Sequence, residues 1–221
     1  MKITWIGHAA FLLTASNRLR ILLDPYRAPD AGTYAPIDVP ADIVVVSHLN
    51  PKYHSHWDAA SGNPVRLNGL DFADNPNGTD VQGIKLRAVR VWESAERKTP
   101  VSMPYFEVDG LSVCHSGDLG HALTAQDAAP LMGVDIFLAV AGGPPTVPLP
   151  EMKALIDFIQ PKVVIPMHYQ NGKINLPLQR IDDFLALFEP SQIVRLESPT
   201  LALRAGDLPQ ELQVVVLPSA N

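Results

Sequence analysis

The chain has 221 residues with 17 basic and 23 acidic side chains, a net charge of −6, and no lysine or arginine cluster, which argues against nucleic acid as a partner. Hydrophobic residues make up 47% of it, enough for a sizeable core, yet no apolar run approaches the roughly 18 residues that suggest a membrane span. The N-terminus lacks a secretory signal pattern and the lone Cys114 cannot form an internal disulfide, so the expectation is a cytoplasmic protein folded as one domain over 1–221.

Residues 2–6, 10–14, 19–23 and 43–47 read as four short strands, separated by Gly7, by Ser16-Asn17 and by a loop from Asp24 to Ala41. The stretch 60–82 is loop-rich and weakly patterned. Strands follow at 84–92, 103–108, 111–115 and 136–141, the middle two joined by Asp109-Gly110, a strong two-residue hairpin signal. Helical periodicity is clearest at 124–131, 150–159 and 177–188. A strand at 162–166 and two or three edge strands within 193–217 complete the list. Proline is abundant, 21 of 221 residues against a usual ~5%, and reads as a stiffener of loops.

The two halves echo each other. In the first, a hairpin ends at Leu23-Asp24-Pro25 and a buried strand at Ser47-His48; in the second, a hairpin ends at Gly117-Asp118 and a buried strand at Ala141-Gly142-Gly143. Such a repeat predicts a sandwich of two mixed sheets covered by helices.

All seven histidines fall at strand ends or in adjacent loops: His8, then His48, His54 and His56, then His115 and His121, then His168. Any one of them alone reads as a surface or satisfied core residue. As a set, beside Asp24 and Asp118, they read as a shared rim, because strand ends at one sheet edge converge. Imidazole and carboxylate suit zinc, iron or manganese in a hydrolytic site. Gly117 lets the backbone turn sharply so that Asp118 can project into it.

The segments TWIGHAAFLL, LRILLDP, DIVVVSH, FEVDGLSVCHSGDLGHAL, DIFLAVAGGPPTV and PKVVIPMHY resemble, in this order, the metallo-β-lactamase fold hydrolases, and within them the branch related to ascorbate-6-phosphate lactonase and uncharacterised metal-dependent hydrolases. The resemblance covers roughly residues 2–175. It implies an α/β fold, a four-layer αβ/βα sandwich of two mixed sheets flanked by helices. It also implies a divalent metal, zinc first with manganese or iron as alternatives, a small-molecule substrate, and a tendency to form homo-oligomers.

The family's first metal motif is His-x-His-x-Asp-His, and this chain departs from it. His48 fits the first histidine, but Asn50 stands at the second and Lys52 at the aspartate, and His54 comes one residue late. An alternative alignment takes His54-Ser55-His56-Trp57-Asp58 as the motif; the strand-end position of His48 favours the first. Relatives carry a histidine where Glu93 follows Trp92. Asp118 matches the bridging aspartate and His168 the last ligand.

The resulting expectation is one metal held by His48, His54, Asp118 and His168 in some combination, with Asp118 and His54 catalytic. Asp24 falls behind the ligands as an orienting group, and His8, His56, Glu93, His115 and His121 are candidates for the pocket or its support. The rival is a scaffold that has lost hydrolysis and holds a ligand or partner, with Lys52 as a cation in the old metal pocket.

Overall fold

The computed structural model describes residues 1–221. Two large sheets face each other across the core. The six-stranded sheet runs in the order Thr200–Ala202, Lys2–Gly7, Ala10–Thr14, Arg20–Leu23, Ile43–Val46 and Val65–Asn68. The eight-stranded sheet runs Ile193–Arg195, Gln213–Val216, Val163–Met167, Ile136–Val140, Leu111–His115, Pro100–Val108, Ile84–Trp92 and Thr79–Val81. Both are mixed, with antiparallel hairpins on one side and parallel strands on the other.

The valine run at Ile43–Val46 is buried at every position, as expected of a parallel strand covered on both faces. Ile43 and Val45 enter the 50-residue core between and around the sheets. Val44 and Val46 face a second cluster of 14 residues that includes Tyr26, Tyr34, Ile37, Ile174 and Leu178. The outer cover of this sheet is therefore built from loops. On the other flank the helix Leu149–Ile159 buries Leu149, Met152, Leu155, Ile156 and Ile159, the three- and four-residue spacing that turns one helix face inward. It stops at Gln160, whose φ of 53° is left-handed.

Three expectations need correction. The helix expected over 177–188 is confined to Ile181–Leu185, because backbone bonds tie Gln170 to Gln179 and Gln179 to Gly142 and hold the segment before it extended. The 124–131 segment splits into Ala125–Ala128 and a 3₁₀ turn over Ala129–Leu131. In the tail, Gln213–Val216 is an interior strand between Ile193–Arg195 and Val163–Met167, with Val214–Val216 buried. Asp109 and Gly110 both take positive φ, 56° and 73°, and close the expected hairpin. No helix is long and apolar enough to cross a membrane.

Phe137 is fully buried in the main core, whereas Phe158 on the long helix is 38% exposed. Phe137→Ala is expected to cost about 3–5 kcal/mol in urea unfolding, and Phe158→Ala under about 1 kcal/mol.

Candidate metal centre

The C-terminal ends of strands from both sheets meet at one edge, the usual place for a site in parallel-stranded sheets. Arg20–Leu23 and Ile43–Val46 pair in parallel, Leu23 opposite Val45, so Asp24 emerges beside Ser47. The buried Asp24 carboxylate accepts from the Ser47 backbone N–H and from its hydroxyl, 2.6 Å each, and from His54 Nδ1–H at 2.9 Å. The Ser47 hydroxyl, with its proton spent on Asp24, accepts from His48 Nδ1–H at 3.0 Å. One carboxylate thus fixes two imidazoles with Nε2 turned away from it.

The odd spelling between His48 and His54 has a structural reason. The Asn50 carbonyl accepts from the backbone N–H groups of Tyr53, His54 and Ser55 at 3.1, 2.8 and 2.9 Å, and Ser55 Oγ caps the Asn50 N–H at 2.9 Å. Asn50 is the hub of a tight turn, one residue longer than the family motif, and that turn delivers His54 to the rim. Lys52 is exposed, its ammonium 4.8 Å from the Tyr53 ring centroid. The alternative alignment does not form: Asp58 is exposed and lies 3.5 Å from Arg66, and His56 is half-buried with its backbone N–H bonded to Pro25.

From the eight-stranded sheet come Asp118, His168 and Glu93. His115 donates from Nε2 to the Ala9 carbonyl at 2.9 Å and accepts the Gly117 N–H on Nδ1 at 3.0 Å. Both its nitrogens are used, so it shapes the turn and does not face the site. Gly117 has φ of 56°, and a Cβ there would lie 2.6 Å from the Ser102 carbonyl and 2.9 Å from the Ser47 Cβ, so only glycine passes. Asp118 then sits with Oδ2 2.9 Å from His54 Nε2 and Oδ1 3.4 Å from His168 Nε2. Glu93 Oε1 lies 3.2 Å from His48 Nε2. Gly120 packs so closely on Glu93 that a Cβ would fall 1.6 Å from its carbonyl oxygen.

His8 joins this group, where the sequence placed it only at the pocket margin. Its ring lies 4.2 Å from that of His168 and 5.2 Å from that of His54, centroid to centroid. His121 stays outside: its Nδ1–H donates to the Ala122 carbonyl at 2.8 Å, and it belongs to neither donor group.

Every buried side-chain nitrogen or oxygen without a hydrogen-bond partner, except His121 Nε2, lies on His8, His48, His54, Asp118 or His168. Such atoms are rare in folded proteins because each costs its desolvation free energy. Donor atoms of His8, His54 and His168 lie within 4.8 Å of one another, as do those of His48, His54 and Asp118. Donors about 2.0–2.1 Å from a tetrahedral zinc are spaced about 3.4 Å apart, so small shifts would seat an ion. Burial, with His168 and His54 nearby, holds His8 well below the ordinary imidazole range. Burial also holds His168 below that range, despite Asp118. Burial disfavours a charged His54, but Asp118 and Asp24 on either side outweigh it and raise its pKa. Burial likewise opposes a charged Asp118, and His54 and His168 overcome it. The neutral imidazoles of His8 and His168, the ionised Asp118 and the His54 ring, whose proton a cation would displace, offer donors for a divalent ion.

A cavity of about 310 Å³ opens beside these donors, lined among others by Tyr53, Glu93, Asp118, Thr146, His168 and Leu176.

The Beta-lactamase superfamily domain matches residues 2–168 as a family profile. The chain belongs to this superfamily. It is 30% identical over 195 residues to a UPF0173 metal-dependent hydrolase of Methanosarcina mazei, covering 76% of this chain and 83% of that protein. A UPF0173 metal-dependent hydrolase of Archaeoglobus fulgidus is 30% identical over 199 residues, with the same shares covered. A solved structure from Thermotoga maritima, assigned as a Zn-dependent hydrolase of the metallo-β-lactamase superfamily, superposes with a TM-score of 0.77 at 33% identity, covering 98% of this chain and 97% of that one. This superfamily member is thus an enzyme of the metal-dependent hydrolase class.

Asp24→Asn would present an amide N–H to His54 Nδ1 and force its proton onto Nε2, the nitrogen that faces the other donors. Zinc affinity is expected to fall about 10–100-fold, read by chelator competition, with the fold retained.

Proposed function

We propose that this superfamily hydrolase cleaves an ester, lactone or phosphoester bond of a small molecule, working with one divalent ion held by donors drawn from His48, His54, Asp118 and His168. The carrying observation is the concentration of unpartnered buried donors at the one edge where both sheets end. The nitrogen and oxygen donor set favours zinc, with manganese or iron as alternatives. When bound, the ion would lower the pKa of a water and polarise the scissile carbonyl or phosphoryl oxygen.

The chain's own residues supply the rest. Asp24 and Ser47 engage Nδ1 of His54 and of His48, so each ring turns Nε2 toward the other donors. Asp118 lines the cavity with Oδ1 unpartnered, so this carboxylate can orient an attacking water by accepting its hydrogen bond. Tyr53 and Leu176 wall the cavity, and Pro145 and Thr146 bring the glycine-proline turn to its rim. The small volume supports a small-molecule substrate. The rival reading of a ligand-holding scaffold rests on Asn50 and Lys52 at ligand positions; Asn50 organises the turn that carries His54, and Lys52 is exposed and absent from the cavity lining.

Asp118→Ala is expected to lower turnover of a generic ester, lactone or phosphodiester by at least about a thousandfold, and a chelator to abolish it reversibly. Activity that survives both treatments removes the reading.

A further inference from the structure

We propose that His8 is itself a ligand of the ion, forming with His54 and His168 a set of three imidazoles beside Asp118, in place of the donors that the His48 loop lacks. The inference rests on the metal-dependent reading above and adds a residue to it.

His8 is 1% exposed, and neither of its ring nitrogens has a hydrogen-bond partner. A histidine serving only to fill space would bury two polar atoms for nothing, and a hydrophobic side chain would do better there. Its donor atom lies within 4.8 Å of those of both His54 and His168. His54 and His168 in turn each approach one oxygen of Asp118, at 2.9 and 3.4 Å.

The backbone holds His8 at this spot from two sides. Its carbonyl accepts from the His168 N–H and from the Trp5 indole N–H, each at 3.0 Å, so the His8 and His168 main chains are bonded across the two sheets. Both residues keep left-handed backbones, φ 51° for His8 and 54° for His168. Non-glycine residues hold such a conformation where the surroundings enforce it, and such positions cluster at functional sites.

The loop that normally supplies the remaining donors is committed elsewhere. Asn50 organises the turn, and the Tyr53 hydroxyl donates to Asn175 Oδ1 at 3.1 Å. His8 enters the same space from the hairpin between Lys2–Gly7 and Ala10–Thr14. Three imidazoles would leave the fourth position of a tetrahedral zinc to a water, the arrangement of a catalytic site.

The test uses the full chain with zinc as the probe, comparing the native protein with His8→Gly, His8→Asn and the control His56→Asn. Glycine and asparagine both tolerate a left-handed backbone, so the substitutions leave the turn intact. Chelator competition is expected to show a zinc affinity more than about 100-fold weaker in both His8 variants and unchanged in the control. X-ray absorption at the zinc edge is expected to show one imidazole fewer in any His8 variant that retains zinc. Independently of any substitution, native protein loaded with a spin-active cadmium isotope is expected to show direct metal–nitrogen coupling to the His8 ring. Folded His8 variants with native zinc affinity, or a His8 ring without that coupling in a metal-loaded protein, overturn the inference while leaving the hydrolase reading in place. A native protein that takes up no zinc, manganese or iron overturns both.

Discussion

The buried carboxylate of Asp24 is the constraint on which the site depends. A charge at 1% exposure is costly unless it is answered, and here three donors answer it: two from Ser47 and one from His54. Those bonds also join the ends of two parallel strands, with the Asp24 N–H donating to the Val45 carbonyl at 3.1 Å. The satisfaction of one anion therefore orders Ser47, His48 and His54 together. Removing it would loosen the whole first half of the donor set, since His48 is reached only through Ser47.

The second half is ordered by sterics. Leu111–His115, Ile136–Val140 and Val163–Met167 run in parallel, so the segments after them share an edge. Gly117 threads between Ser102, Val101 and Ser47, and the turn it makes is pinned by the His115 ring. Asp118 and His168 follow from that crowded path. The two halves reach a common place by different means, a charge network in one sheet and close backbone approach in the other.

Much of this was legible from the residues alone. The β-branched runs identified the strands, and the habit of placing histidine and aspartate at strand ends identified the rim; the matched segments gave the fold that the superfamily relatives share. The fate of the His48 loop was not legible, because three N–H groups converging on the Asn50 carbonyl is a consequence of turn geometry and leaves no spacing signature. The approach of His8 to His54 and His168 was not legible, because those residues lie more than forty positions away, although a polar residue after a glycine at a strand end was the available signal. His115 looked like a candidate on the same pattern and proved to be consumed by Ala9 and Gly117. The interior placement of Gln213–Val216 was hidden because a strand at the end of a sequence carries no mark of where it inserts.

The donors are divided between the sheets: His8, His48 and His54 ride on one, Glu93, Asp118 and His168 on the other. Anything gripped by both groups acts as a rivet through the sandwich, tying layers that otherwise adhere through apolar contact. Resistance to heat would then track mineral supply as closely as it tracks the quality of the core, because a ligand that occupies only the folded form draws the equilibrium toward it.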